Sequence, residues 1–167
     1  AEAIVTETLK NCDDGELYLE NHKSESIVLD DNKIKSSTYN SDQGYGFRAV
    51  TGEVVAYSHS NDISKESLRK SSDNLKDTLK SKKGTYNHEI PKTNSKYYEN
   101  INPIESKTFD SKIDLLKSVN NYLRSKGSIV NQVTANFLGE HKSIEIIRSD
   151  NQVLKDDRPL VRFNVSV

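Results

Sequence analysis

The side chains best suited to bind a metal ion in this 167-residue sequence are four histidines and one cysteine. They are His22, His59, His88, His141 and Cys12. A closed zinc site needs four ligands, and sites built from local sequence use pairs a few residues apart, such as HExxH. No two of these histidines lie close together in the sequence, and there is no second cysteine. We therefore expect no metal ligands and no catalytic residues in this chain, so that other residues would complete any enzymatic reaction.

Cysteine and carboxylate pairs are the other candidates for chemistry. Cys12 lies beside Asp13 and Asp14, whose charges raise a thiol pKa and so oppose the thiolate form that a nucleophile needs. Paired carboxylates could act as acid and base, but each pair falls in a predicted turn or strand end, where aspartate is favoured for backbone capping. A structural role is therefore favoured for all three pairs: Asp13-Asp14, Asp30-Asp31 and Asp156-Asp157.

A glycine-containing segment, Asp42-Gln43-Gly44-Tyr45-Gly46-Phe47-Arg48, is the most informative local pattern. Glycine weakens a strand, so two glycines in a strand indicate a bulge, which is the favoured interpretation, or the close approach of another backbone, such as a bound peptide. The segment is no dinucleotide fingerprint, because a third glycine and a following helix are missing. Gly44, Gly46 and Arg48 are therefore candidate residues for peptide or interdomain contact.

A second segment, Arg158-Pro159-Leu160-Val161-Arg162, places two arginines around a proline at the start of a strand. A guanidinium group can bind a carboxylate through paired hydrogen bonds. A structural ion pair with a nearby aspartate is favoured over ligand binding for these arginines. Arg162 is nevertheless retained as a fourth candidate contact residue.

The elements that position these residues follow from hydrophobic periodicity. Alternating apolar residues predict strands around Leu17–Leu19, Ile27–Leu29, Ile34–Tyr39, Tyr45–Val50 and Val54–Tyr57, and again around Val133–Phe137, Ile144–Ile147 and Val161–Val167. Turns are predicted at Asp30-Asp31-Asn32, Thr51-Gly52 and Gly139-Glu140.

Helices are predicted at the start of the chain and in two later segments. The first is the short stretch Ala1–Lys10, with Ile4, Val5 and Leu9 on one side. The second has its cap at Asp62 or Ser64 and an apolar stripe of Ile63, Leu68, Leu75 and Leu79, with Gly84 as its stop. The third has its cap at Asp110 or Ser111 and an inward stripe of Ile113, Leu116, Val119, Tyr122 and Leu123.

This order predicts an α+β fold with a mainly antiparallel β-sheet and helices packed on one face. We expect a single N-terminal domain spanning 1–167, cut from a longer chain at both ends. Residues 81–108 lack periodicity and contain Pro91 and Pro103, which predicts a long surface loop.

Composition narrows the class of partner. Lys+Arg total 24 and Asp+Glu 25, so the net charge is −1 and no basic field would attract nucleic acid. No apolar run is long enough to span a bilayer, so no membrane association is expected. A single cysteine is usual in a reducing compartment, which favours the cytoplasm.

Several short motifs of the sequence resemble the TldD branch of the TldD/PmbA family, once called modulators of DNA gyrase. The motif with two glycines and Arg48 is the most specific of them, and the arginine–proline motif follows in the right order. The matching motifs are Leu29-Asp30-Asp31, Tyr39-Asn40-x-Asp42-Gln43-Gly44-x-Gly46-x-Arg48-Ala49, Gly52, Tyr57, Asp62 and Arg158-Pro159-Leu160-Val161-Arg162.

The resemblance implies a zinc metallopeptidase that degrades or processes peptides and partly unfolded proteins. It also implies pairing with a non-catalytic sister subunit of the TldE/PmbA type. The family's zinc lies on an HExxxH motif in the C-terminal half, whose glutamate would activate water as a general base. This sequence contains no HExxxH motif, and neither Cys12 nor any histidine matches a ligand. The chain would therefore be the N-terminal, substrate-positioning domain, and the alternative is a non-enzymatic binding or assembly module that uses a sheet edge.

Overall fold

A computed structural model describes residues 1–80, 95, 97–150 and 152–167 of the chain. Its helices are α1 (Glu2–Leu9), α2 (Lys65–Thr78) and α3 (Phe109–Arg124), and its strands are β1 (Asp14–Asp30), β2 (Lys33–Thr51), β3 (Val54–Ser60), β4 (Thr134–Arg148) and β5 (Val153–Ser166). The strands form one antiparallel sheet in the order β3-β2-β1-β4-β5. The predicted α+β class with a mainly antiparallel sheet is confirmed.

Tight turns connect the long strands at the predicted places. Asp31 and Asn32 join β1 to β2 with φ values of 47° and 66°, a left-handed conformation that aspartate and asparagine adopt more readily than most residues. Gly52, with φ of 59°, begins the turn between β2 and β3. The predicted turn at Gly139-Glu140 was wrong, because both residues lie inside the continuous strand β4.

The chain divides into two compact units, to which the long strands contribute separate segments. The first unit contains residues 1–21, 42–97 and 143–156. Its core joins α1, α2 and the strands through Leu17, Phe47, Ile147 and the two helix residues Val5 and Leu75, all at most 1% exposed. In this unit both helices cover the same face of β1 and β2, since they share the core with Leu17 and Phe47.

The second unit contains residues 22–41, 98–142 and 157–167. Its core packs Ile113 and Leu116 of α3 against β1 and β4, which contribute Ile27, Leu29, Ala135 and Phe137. Helix α3 begins after Thr108, whose hydroxyl accepts a hydrogen bond from the backbone N–H of Ser111. The cap predicted at Asp110 or Ser111 was therefore placed too late by two or three residues.

The buried faces of α2 and α3 differ from the predicted apolar stripes at a few positions. Ile63 and Tyr122 were predicted to face inward but are 47% and 60% exposed. Ile63 precedes α2, which starts only after the Ser64 cap, so helical periodicity does not apply to it. On α3 the buried positions include Lys112 and Asn120. The polarity of these two side chains hid their burial from a prediction based on apolar spacing.

Residues 81–94 and 96 of the predicted loop, with Pro91 and the Gly84 helix stop, lie outside the described residues. In the described part, residues 97–108 have no regular secondary structure, yet Ile104 is 6% exposed and packs inward. The expectation of one domain cut at both ends stays a prediction. Over the described ranges, the structure contains no helix long and apolar enough to cross a bilayer.

Candidate functional site

Gly44 and Gly46 lie on β2 beside the hairpin strand β3. The pairing of β2 with β3 runs without interruption from Tyr45↔Ser60 to Thr51↔Val54, so this ladder contains no bulge at Gly46. A Cβ on Gly46 would lie 2.5 Å from Oη of Tyr57, whose ring covers the glycine. A Cβ on Gly44 would lie 3.0 Å from the carbonyl oxygen of Ser60. The space beside both glycines is therefore filled by this chain's own β3 segment.

Tyr57 and His59 form an exposed aromatic pair on the same face. Their ring centroids are 5.9 Å apart with an interplanar angle of 29°. Tyr57 is 64% exposed, and His59 is exposed as well. Tyr57 lies opposite Arg48, and His59 lies opposite Gly46. We call Gly46, Arg48, Tyr57 and His59 the aromatic face.

Arg48 is held by carboxylates of β1. Its Nη2 donates to Oδ2 of Asp14 at 2.6 Å, and its Nε lies 3.5 Å from Oε1 of Glu16. All three side chains are about one-third to two-fifths exposed, so the ion pairs are partly screened by solvent. Arg48 therefore contributes to β1–β2 pairing, and these contacts occupy part of the hydrogen-bonding capacity of its guanidinium.

Arg162 lies on β5 in the second unit, apart from the glycine strand in sequence and in unit. It is exposed and forms no ion pair with any residue that the structure describes. The structural ion pair favoured from the sequence is therefore not formed by Arg162. The exposed apolar residues Leu160, Val161 and Phe163 surround it along the strand.

The described part of the chain brings no three His, Cys, Asp or Glu side chains into a group that could hold a metal ion. His88 lies outside the described residues. His22 lies 3.5 Å from Oε2 of Glu140, and His141 is buried. The described residues thus do not fit a zinc site.

Cys12 is not an activated nucleophile. Burial raises the pKa of its thiol, and the charge of nearby Asp13 raises it further. A hydrogen bond from Thr51 lowers the pKa, but not enough to offset burial. Its Sγ lies 3.7 Å from the carbonyl oxygen of Thr8, within hydrogen-bonding range for sulfur. The direction predicted from the acidic neighbours is correct, although burial is the larger cause.

Two of the aspartate pairs have structural roles, as the turn chemistry suggested. Oδ2 of Asp13 accepts a hydrogen bond from the backbone N–H of Gly52 at 2.6 Å. Asp30 accepts hydrogen bonds from Gln132 and Thr134, which lower the pKa of its carboxyl group. Both acidic groups thus connect strands and turns.

A glycine comparison tests how Tyr57 packs. Gly46→Ala is expected to change the free energy of unfolding by less than about 1 kcal/mol, because the exposed Tyr57 ring can rotate away. Gly15→Ala is the matched contrast: its Cβ would lie 2.8 Å from the carbonyl oxygen of Arg48, so backbone must move, at about 1–3 kcal/mol. Urea unfolding measures both values. Equal losses would show that Tyr57 cannot move from Gly46.

Comparison with known proteins places this geometry in a family. Residues 15–80 match the family description "PmbA/TldA metallopeptidase domain 1", and residues 102–167 match "PmbA/TldA metallopeptidase central domain". The chain belongs to the PmbA/TldD metallopeptidase family. The resemblance of the sequence motifs to the TldD/PmbA family is confirmed.

Relatives in this family carry the name of the branch. The chain is 34% identical over 159 residues to the metalloprotease TldD homolog of Buchnera aphidicola from Acyrthosiphon pisum, covering 95% of this chain and 33% of that protein. It is 32% identical over 164 residues to the metalloprotease TldD homolog of Haemophilus influenzae, covering 95% of this chain and 33% of that protein. The chain thus spans about a third of the length of the curated relatives it matches.

Solved structures share the fold of this chain. A proposed modulator of DNA gyrase from Thermotoga maritima matches with a TM-score of 0.72 and 12% identity, covering 91% of this chain and 38% of that one. TldE from Thermococcus kodakarensis matches with a TM-score of 0.59 and 10% identity, covering 98% and 41%. At such identities the likeness concerns the fold alone.

Within this PmbA/TldD chain, sequence reasoning did not assign Tyr57 and His59 a joint role. The alternation of Val55, Tyr57 and His59 places them on one face of β3, and this signal was available. Their stacking beside Gly46 follows only from the β2–β3 register. Pairing across the hairpin thus defines the aromatic face.

Proposed function

We propose that this chain is the N-terminal, substrate-positioning domain of a TldD-like zinc metallopeptidase that degrades or processes peptides and unfolded proteins. The observation that carries the proposal is the match of two successive segments to two domains of one metallopeptidase family. The names of the TldD relatives support an enzyme of this class. In this proposal the 167-residue chain positions substrate, and catalytic residues of the full-length protein complete the reaction.

Zinc in the full-length protein belongs, on this proposal, to ligands outside this chain. The described residues hold no suitable group of ligands, so we assign no catalytic step to His22, His59, His141 or Cys12. The work of this chain is binding: it presents exposed backbone and side chains to an extended peptide. Shape and hydrogen bonding, not proton transfer, are the chemistry it supplies.

Of the four candidate contact residues, Arg162 is the one best suited to bind an anionic group of a substrate. Its guanidinium is exposed, whereas Arg48 is paired with Asp14 and Glu16. A free guanidinium can bind a side-chain or terminal carboxylate with two parallel hydrogen bonds. Gly46 and Arg48 then act through the aromatic face, whose exposed groups are Tyr57 and His59, and Gly44 acts through its contact with Ser60 at the end of β3.

We further propose that the full-length protein pairs with a sister subunit of the TldE/PmbA type in the cytoplasm. The observation behind this proposal is that the chain shares its fold with TldE of Thermococcus kodakarensis. A single cysteine in the chain accords with a reducing compartment. No membrane or nucleic acid partner is proposed, given the net charge of −1.

The test uses the full-length protein that carries this chain, with its sister subunit. We expect bound zinc and cleavage of an unfolded, acidic polypeptide. Arg162→Met should raise KM about tenfold with kcat unchanged, because an interaction shared by bound substrate and transition state is lost. Arg69→Met, at an exposed arginine of α2, is the matched control and should leave KM unchanged. Absence of peptide cleavage by the zinc-loaded protein would contradict the proposal.

The second candidate is a binding or assembly module without catalysis. It is favoured by one observation, the uncharged strand β3 at the edge of the sheet. The encoding reading frame separates the two candidates: an HExxxH motif downstream supports the peptidase, and a stop codon near Val167 supports the module.

A further inference from the structure

Strand β3 is an edge strand without the usual protection. It is the first strand in the order β3-β2-β1-β4-β5, so among the described residues only its β2 side is paired. Natural edge strands are commonly blocked by charged residues, proline or bulges. Val54–Ser60 contains no charged residue and no proline, and its register with β2 has no bulge.

The other edges of the sheet carry charge or proline. Strand β5 carries Lys155, Arg158 and Pro159. The part of β2 beyond the β3 pairing carries Lys33 and Lys35 at its start and Asp42 near its end, with an uncharged run over 36–41 between them. Charge and proline therefore oppose strand addition along β5 and at both ends of this part of β2, whereas β3 is uncharged along its whole length.

The direction of the free backbone groups on β3 follows from the hairpin turn. The two-residue turn Gly52-Glu53 pairs Thr51 with Val54, and such a turn bonds the first carbonyl to the fourth N–H. Hydrogen-bonded and non-bonded pairs then alternate along an antiparallel ladder. The residues that direct N–H and C=O groups away from β2 are therefore Val55, Tyr57 and His59.

These three residues are open to an incoming strand. Val55 is 59% exposed and Tyr57 64% exposed, and His59 is exposed too. Across the part of the chain that the structure covers, no backbone hydrogen bond outside the sheet ladder reaches Val54–Ser60. Helix α2 contacts β3 from the core side, where Ser58 donates to Ser71. The side chains of Val55, Tyr57 and His59 thus lie on the face that α2 leaves open.

We propose that the β3 edge, at Val55, Tyr57 and His59, binds an extended peptide by adding it to the sheet as a sixth strand. Backbone pairing suits a peptide of any sequence, and the lack of charge on β3 removes any demand for a charged partner. Val55, Tyr57 and His59 would contact every second side chain of the peptide. The inference rests on the proposed function, because a metallopeptidase takes an extended peptide as substrate.

The test measures binding in the full-length protein, with EDTA present so that the peptide stays intact. The probe is a fluorescein-labelled eight-residue peptide of alternating threonine and valine. Tyr57→Pro removes an outward N–H without removing a bond to β2, and Tyr57→Ala removes the same side chain while keeping the N–H. We expect Tyr57→Pro to bind about tenfold more weakly than Tyr57→Ala, with unchanged circular dichroism.

Amide exchange in the wild-type protein provides a second measurement that needs no variant. Saturating peptide should slow exchange at Val55, Tyr57 and His59, and leave the already paired Ala56 and Ser58 unchanged. The inference is overturned if the peptide does not bind, if it binds without protecting these amides, or if they are protected before peptide is added. Missing hydrolysis alone would contradict the proposed function and leave this inference standing.

Discussion

Lys112→Met is expected to lower the free energy of unfolding by about 3–5 kcal/mol, because it leaves the buried carboxylate of Glu25 without its partner. The side chains of Lys112 and Glu25 are 5% and 11% exposed. Lys112 also donates to the carbonyl oxygen of Ile104 at 2.6 Å, and its Nζ lies 5.6 Å from the centroid of the Phe137 ring. One substitution therefore removes three interactions of a buried cation in the second unit.

Two control variants isolate the effect of burial. Lys23→Met removes an ion pair with Glu105 in the same unit, at 2.8 Å, but those side chains are 32% and 61% exposed. This loss should be much smaller than that of Lys112→Met, since solvent screens the pair. Adding Glu25→Leu to Lys112→Met should recover much of the loss, because no unpaired charge stays buried.

Urea unfolding monitored by circular dichroism provides these values. If Lys112→Met costs no more than Lys23→Met, water must reach Glu25 and the described burial is wrong. The result also bears on prediction from sequence, because a lysine beside the apolar residues of α3 would ordinarily be predicted to face solvent. The hydrogen bond from Lys112 to the carbonyl oxygen of Ile104 shows that the segment preceding α3 packs against the core.

Phe47→Ala is expected to lower the free energy of unfolding by about 3–5 kcal/mol, through lost burial and the cavity it leaves. Phe47 is 0% exposed and belongs to the core of the first unit with Leu17 and Leu75. It lies between Gly46 and Arg48 on β2, so its packing fixes the strand that carries the aromatic face.

Phe109→Ala is the matched control, because Phe109 is 41% exposed at the start of α3. Its loss should stay near 0.5 kcal/mol, as for most surface substitutions. The two variants are compared by urea unfolding, and the resonances of Tyr57 and His59 report whether the aromatic face shifts. A small loss for Phe47→Ala would mean that the core of the first unit repacks around the vacated volume.

The two edges of the sheet bear different relations to the proposed activity. Strand β5 combines Arg162 with exposed apolar residues, which suits a side-chain contact with an anionic group. Strand β3 offers uncharged backbone and the Tyr57–His59 pair, which suits backbone pairing with a peptide. The KM of Arg162→Met and the affinity of Tyr57→Pro therefore report on separate surfaces of this chain.

Hydrophobic alternation and turn chemistry were sufficient to predict segments of all five strands, two hairpin turns and the α+β class. They divided β1, β2 and β4 into two predicted strands each, because the polar residues between the apolar segments hid the continuity of the strand. Asp31-Asn32 and Gly52 are local signals, since positive φ at a tight turn restricts the residue type whatever surrounds it. The Gly139-Glu140 turn was predicted by the same rule and was wrong. Glycine is also tolerated inside a strand, and a Cβ on Gly139 would lie 3.3–3.4 Å from atoms of Phe137 and Ile104.

Residues far apart in sequence decided the rest. The motif Gly44-x-Gly46-x-Arg48 carried the family resemblance, but its own spacing could not show that the Tyr57 side chain packs against Gly46 or that Arg48 pairs with Asp14. Burial of Lys112 likewise depends on Glu25, 87 residues away. Local sequence determines backbone geometry and the periodicity of apolar faces, because these depend on neighbouring residues. The partners of a polar side chain were decided only by tertiary structure, because strand register and helix docking bring them together.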